Sequence, residues 1–548
     1  MEGVQVVTGR ARVSRAFRCE PVDRVPWVPF VGVHAAALLG ESAETFLKSE
    51  ALIVRGVQAA IDRYRPDGIP VLFDLQLEAE VLGCPLHWAK ENPPAVCGHP
   101  LANGTALADL KVPSAADGRI ASVLAATGAL REANPDVALY GLITGPFTLA
   151  LHLLGTDIFM RMFDDPSGVH DLLAFCRDVG IAMAGYYMDA GCDVIAVVDP
   201  MTSQIGPDQF AEFVTPAARP VFDAIRAGGR LGSFFVCGHA QQNIVAMCEC
   251  GPDNVSIDEN IPLEYVRDVC VERGISFGGN LQLTSVLLLG GVADAQANAL
   301  ACLDVGGQRG FILAPGCDLP YAVPAANIEA VTRLVVDPYQ RDVARALAGS
   351  TPDEAVRLDM REYGRLDQVV VDIITLDSEA CAPCQYMVDA VRKVAPQFEG
   401  IVRWREHKIK TRDSLVFMDS LMVRNVPTIC IDGQITFVSR IPPRDELIAA
   451  IQRQINEKMR TRIRQRKATL LVLGDGEAAD RVQDVVDRAV AELGADVPVE
   501  RVGDPEAIAA YGVAPNQVPA VVLARYQLKS VKAVPEAAAV KEWIKEAL

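Results

Sequence analysis

Two groups of residues in this 548-residue chain have types and spacings suited to chemistry. The first is Cys381-Ala-Pro-Cys384, which follows the apolar run QVVVDIITL (368–376) and opens a helical pattern. Thiols one helical turn apart can close a disulfide. A helix N-terminus favours negative charge, which predicts a lowered pKa for Cys381 and makes it the attacking thiolate. The other reading of such a pair is a zinc half-site; it needs a second pair, and Cys430 alone does not supply one. The second group is GSFFVCGHA (232–240), a strand pattern that ends in Cys237 and His239. On an extended chain, residues i and i+2 project to the same side, so two ligand-type side chains would face one space. Cys317, in APGCDLP (314–320), is a further thiol at a strand end.

The bulk composition limits what this chemistry can serve. Net charge is −18 and half the residues are apolar, which describes a globular protein and argues against a surface that tracks nucleic acid. The N-terminal stretch has no apolar core of signal-peptide length, and GLITGPFTLALHLL (141–154) falls short of a membrane span. The expectation is a cytoplasmic protein with no membrane and no nucleic-acid partner. In that setting the fourteen cysteines are mostly free, with small subsets carrying redox or metal chemistry. KMRTRIRQRK (458–467) holds six basic residues in ten, and in an acidic chain it reads as a solvated helix end or an internal contact with acidic groups.

The elements that must position these residues can be traced along the chain. Eight short apolar runs lie at 25–32, 68–74, 137–144, 192–199, 231–237, 254–258, 275–280 and 310–316, separated by helical patterns. That is the strand count of a (β/α)8 TIM barrel, and no Gly-rich dinucleotide turn supports an open doubly wound sheet instead. Most runs end in a polar residue: Asp74, Thr144, Asp199, Cys237, Asp258, Asn280, with Cys317 just past the last. Barrel active sites are built at that rim, so Asp74, Asp199 and Asn280 are candidate substrate-binding residues. Strands also end at polar residues for no functional reason, and the bland reading holds for any one of them.

The predicted organisation is an α/β chain: a barrel at 1–345, a linker at 346–366, an α/β domain with the CAPC dithiol at 367–457, a basic linker at 458–467 and a second such domain at 468–548. The last repeats the order strand, helix, strand, X-Pro, strand, helix, but has no cysteine and reads GDGEAAD where the first copy reads EACAPC. It cannot exchange disulfides, and a docking or homo-oligomer surface is expected of it.

Two resemblances add to this reading. The dithiol after a strand, followed by Val426-Pro427, resembles thioredoxin and glutaredoxin over about 367–455. This implies a cis Pro427 beside a redox-active Cys381/Cys384 pair, and 468–548 resembles the same fold without its thiols. The segments FDLQLEAEVLGC (73–84), TGPFTLAL (144–151), CDVIAVVDPMTS (192–203), FFVCGH (234–239), VSIDEN (255–260), GGN (278–280) and APGCDLP (314–320) are similar to the uroporphyrinogen decarboxylase superfamily. Within it they resemble the corrinoid-dependent methyltransferases of the methylcobamide:coenzyme M type. Decarboxylases place arginines after the first strand, and VPWVPFVGVHAAALLG (25–40) has none. The methyltransferases hold zinc with His-x-Cys and a distant Gly-Cys. The matching residues here are Phe235, Cys237 and Cys317, so the histidine is missing and His239 is the expected substitute.

The resemblance implies a zinc-dependent transfer of a methyl group between a methylcobamide, carried on a separate corrinoid protein, and a thiol. The dithiol would manage the thiol or disulfide state of substrate or site. The alternative is a thiol–disulfide oxidoreductase whose barrel is a metal-free binding module. A third option, a lyase acting on a carboxylate, would use Arg24 or Arg309.

Overall fold

The computed structural model describes residues 7–347, 361–379, 381–410, 425–467, 469–495 and 497–547, with a few positions between 411 and 424. The expected linker at 346–366 lies mostly outside the described residues.

Seven parallel strands form one curled sheet in strict chain order: Gly68–Pro70, Ala138–Thr144, Val194–Val198, Leu231–Val236, Asn254–Ile257, Ser276–Leu281 and Phe311–Pro315. Consecutive strands joined by helical crossovers build a sheet that curls on itself, as in a TIM-type barrel. The run at 25–32 does not become a full strand. Pro26 and Pro29 lack the N–H groups that a ladder needs. What survives is one bridge, Trp27 to Leu313, with Val28 N donating to Leu313 O at 3.0 Å and Asp67 N to Trp27 O at 2.8 Å. Those bonds place residues 26–28 between the last strand and the first.

The interior of the sheet is apolar and aromatic. Phe30, Phe73, Tyr140, Leu142 and Phe235 pack there, with Phe30 and Phe235 ring centroids 5.3 Å apart. Cys237 and Cys317 sit at the edge of this cluster. At the other end of the barrel, the buried Asp67 carboxylate is held by Arg12 and Arg24 and accepts from Trp27 N at 2.8 Å. Arg24 is therefore committed to an ion pair, and Arg309 Nε donates to Cys19 O at 2.9 Å.

Two four-stranded sheets follow. One has the order Val402–Lys408, Val369–Thr375, Thr428–Ile431, Gln434–Val438; the other has Val499–Val502, Leu470–Leu473, Ala520–Leu523, Gln527–Val531. In each, the earliest strand in the chain lies second from one edge, so the repeat read from the sequence has a matching strand order. Residues 458–467 are the end of the helix Arg444–Lys467.

The chain divides into two compact units. The first comprises residues 1–359, 372–393 and 404–443, so the CAPC segment and the Pro427 turn belong with the barrel. The second comprises 360–371, 394–403 and 444–548. Its C-terminal sheet is covered by the helix Glu477–Leu493, whose Val482 and Val486 pack with Val540 and Ile544 of the closing helix. Among the described residues no helix is long and apolar enough to cross a membrane.

Candidate active site

Strands of the curled sheet deliver their C-terminal ends to one pocket of about 1290 Å³, counting its open mouth. Cys237, His239, Glu259 and Cys317 line it, and so do Cys381 and Pro427 of the CAPC region. Three sets of side-chain hydrogen bonds fix that region over the barrel. Asn92 Nδ2 donates to Asp377 Oδ2 at 2.8 Å, and Gln385 Nε2 donates to Val96 O. Gln204 Nε2 donates to Ser439 O while its Oε1 accepts from Ile441 N, both at 2.9 Å. Tyr386, two residues beyond the dithiol, is buried in the barrel's own core cluster. The dithiol thus opens into the pocket. Asp377, just before it, is held below the usual carboxylate range: burial opposes this, but hydrogen bonds from Lys410 and Lys408 outweigh it.

Cys237 and Cys317 come together, with sulfur atoms 3.1 Å apart. Both are half-buried free thiols. The hydrogen bond shared with Cys317, then burial, raises the Cys237 thiol well above its ordinary value. The predicted lowered pKa of Cys381 is reversed for the same kind of reason. Its thiol shares a hydrogen bond with Cys384 and is buried, and both effects outweigh the helix start and raise it. Cys384 is fully buried, and the Val426–Pro427 peptide is cis.

His239 lines the pocket but does not join the two thiols as a third ligand. The strand ends at Val236, and Gly238 adopts φ of 87°, so the chain is no longer extended when it reaches His239. The same-side rule does hold one step earlier: Phe235 and Cys237 contact the same interior cluster. The position from which a third ligand could face the thiols is therefore phenylalanine. His239 Nδ1 is buried with no hydrogen-bond partner among the described residues. No group of three or more His, Cys, Asp and Glu side chains among the described residues is arranged to hold a metal ion. The donors present do not fit a zinc site with three protein ligands.

The three polar strand ends expected to bind substrate turn inward. Asp74 pairs with Arg119 at 2.7 Å and accepts from Gln76 N at 2.9 Å. Asp199, fully buried, caps the helix Pro146–Leu154 by accepting from Phe147 N, Thr148 N and Thr148 Oγ1 at 3.1, 2.7 and 2.6 Å. Asn280 Nδ2 donates to Ile261 O at 2.9 Å and Asp258 O at 3.3 Å, shaping the loop that carries Glu259. None of the three lines the pocket.

A residue that strand-end reasoning passed over takes their place. Glu259 follows Asp258, one step past a polar strand end. Its Oε1 accepts from Leu283 N at 3.1 Å, while its buried Oε2 has no partner among the described residues. A Cβ on Gly316 would lie 2.2 Å from that oxygen, so the glycine lets the carboxylate sit where it does beside Cys317. Burial, then the neighbouring Asp258 charge, lifts Glu259 to about 8. Asp258, itself raised to about 6 by burial, accepts from Gly238 N at 2.6 Å and so sets the turn after Cys237. Only the orphaned oxygen, which the sequence does not display, singles Glu259 out.

Residues 8–337 match the family described as uroporphyrinogen decarboxylase (URO-D). The chain is 29% identical over 329 residues to the methylcobamide:CoM methyltransferase MtbA of Methanosarcina acetivorans, covering 59% of this chain and 96% of that protein. It is 26% identical over 332 residues to MtaA, of the same description, from Methanosarcina barkeri, with the same shares covered. Among solved structures, a methyltransferase from Methanosarcina mazei superimposes with a TM-score of 0.56 at 25% identity, over 62% of this chain and 99% of that one.

Proposed function

Since the chain belongs to the uroporphyrinogen decarboxylase family, and its similar proteins include methyltransferases of methylcobamide and coenzyme M, we propose that its barrel moves a methyl group between a methylcobamide and a thiol. The corrinoid would be carried on a separate protein. The observation that carries this reading is the placement of the two family-matched cysteines, Cys237 and Cys317, side by side in a pocket at the strand ends. A thiol entering there must lose its proton before its sulfur can attack a methyl group. Glu259 can take that proton: the residue lines the pocket, one of its carboxylate oxygens has no partner among the described residues, and its raised pKa is close to that of a thiol. Phe73 and Leu319 give the pocket an apolar side that keeps water away from the sulfur. Zinc has no part in this reading, because only two donors converge where the family pattern has three.

The thioredoxin-like reading of the CAPC region is part of the proposal. The position of Cys381 and Pro427 in the same pocket supports a dithiol that reduces a substrate disulfide to the thiol. It also favours a second reading, a thiol–disulfide oxidoreductase for which the barrel is a binding module.

The test is to incubate the reduced, purified chain with methylcobalamin and a panel of small thiols, following methyl–cobalt absorbance and thioether formation by mass spectrometry. Transfer to at least one thiol is expected, and Cys317→Ser should slow it about tenfold, the effect of losing one well-placed pocket contact of about 1.4 kcal/mol. Dithiol-dependent reduction of disulfides without any thioether would favour the second reading. An unaffected rate in Cys317→Ser would remove the thiol pair from the reaction.

A further inference from the structure

The two cysteine pairs in this pocket are both dithiols. Cys237 and Cys317 are free and half-buried, with sulfurs 3.1 Å apart, so a disulfide needs only a small approach of the two side chains. No third metal donor among the described residues competes for them. Cys381 faces the same space and is close enough for its charge to act on both barrel sulfurs. The bonds from Asn92, Gln204 and Gln385 hold the CAPC segment against the barrel, so both cysteine pairs face one pocket.

We propose that Cys237/Cys317 and Cys381/Cys384 form an internal dithiol relay, in which a disulfide made in the barrel is passed to the CAPC pair. The inference goes beyond methyl transfer and stands without it. A small organic disulfide, RSSR, enters the pocket and is attacked by one barrel thiolate. One RS⁻ leaves and a mixed disulfide forms. The second barrel thiolate attacks that mixed disulfide, releasing the other RS⁻ and closing Cys237–Cys317. Two electrons have then moved to the substrate, and the two barrel protons balance the two thiolates as RSH.

Cys381 next bonds to one sulfur of the barrel disulfide, and its proton passes to the other sulfur, which leaves as a thiol. Cys384 attacks Cys381, which closes Cys381–Cys384 and frees the second barrel thiolate. The two protons given up by the CAPC pair restore both barrel thiols. Two molecules of an external thiol, joined by their oxidation into one disulfide, return the CAPC pair to its thiol form.

The experiment uses the full chain. It is oxidised with diamide, freed of oxidant, alkylated and mapped by peptide mass. Disulfides Cys237–Cys317 and Cys381–Cys384 are expected. Oxidised Cys384→Ser should accumulate a bond between Cys381 and Cys237 or Cys317. With glutathione as the external reductant, Cys381→Ser should recover free Cys237 and Cys317 at least about tenfold more slowly than the parent, because a tethered thiol acts at a high effective concentration. Since Cys384 is fully buried and its substitution can disturb folding, Cys381→Ser, at the half-buried thiol, keeps the test decisive. Barrel cysteines that stay unpaired after oxidation, or recovery at the parent rate in Cys381→Ser, would overturn the relay.

Discussion

Glu259→Gln is expected to lower methyl transfer to a thiol by about a hundredfold or more near pH 7.5, the usual cost of losing a positioned general base. The substitution keeps the shape of the side chain and an oxygen for Leu283 N, so the pocket is preserved. It removes a carboxylate whose second oxygen has no other partner among the described residues. In the parent, activity should rise with pH with a midpoint near the Glu259 pKa of about 8 and level off above it, and the variant should lose this component of the rise and keep only that of the thiol's own ionisation.

The same change should move stability in the opposite direction. A carboxyl whose folded pKa is about 8 against an ordinary 4.5 binds its proton more tightly in the folded state. The folded chain is therefore penalised as pH climbs from 4.5 through 8, and the uncharged amide of the Glu259→Gln variant would carry no such penalty. The variant should unfold at a higher temperature at pH 8.5, by of order 2 kcal/mol after allowing for the partial exposure of the residue, and match the parent near pH 4. A variant both less active and less stable at pH 8.5 would make Glu259 a structural residue.

The barrel was legible from sequence because its strands are buried on both faces and read as continuous apolar runs bounded by polar residues. Six of the seven intervals between runs matched crossovers between strands of one parallel sheet. The exception, 25–32, shows where the apolar signal misleads: Val, Trp and Phe supply the burial, but Pro26 and Pro29 remove the ladder. The site was legible where it rests on strand periodicity and not beyond. Cys237 and Cys317 meet because both belong to the closing ends of strands. His239 fails because Gly238 bends the chain one residue before it, and spacing alone carries no record of a positive φ. Glu259 was missed for a further reason: its significance lies in a hydrogen bond that is absent, which depends on how Leu283 and Gly316 pack around it. The nearness of Cys381 to the barrel thiols rests on Asn92, Gln204 and Gln385, three amides whose roles no local pattern reveals.

Asp199 tests the distinction between a residue that touches substrate and one that builds the wall behind it. Its carboxylate accepts two backbone N–H groups and one hydroxyl at the start of the helix Pro146–Leu154, in a place with no solvent. A Cβ on Gly145 would fall 2.3 Å from the Asp199 side chain, so the helix start and the carboxylate are packed as one piece. Asp199→Ala would leave Phe147 N, Thr148 N and Thr148 Oγ1 buried without an acceptor. The expected cost is about 3–5 kcal/mol, the range found when one partner of a buried charged hydrogen-bond set is deleted. Asp199→Asn, which retains one acceptor oxygen, should lose less. Denaturant unfolding of both variants measures the order. Steady-state kinetics at a temperature where both remain folded supply the decisive contrast: a wall residue leaves KM for the thiol close to the parent value. A raised KM with undiminished stability would instead place Asp199 in contact with substrate, as its position at a strand end first suggests.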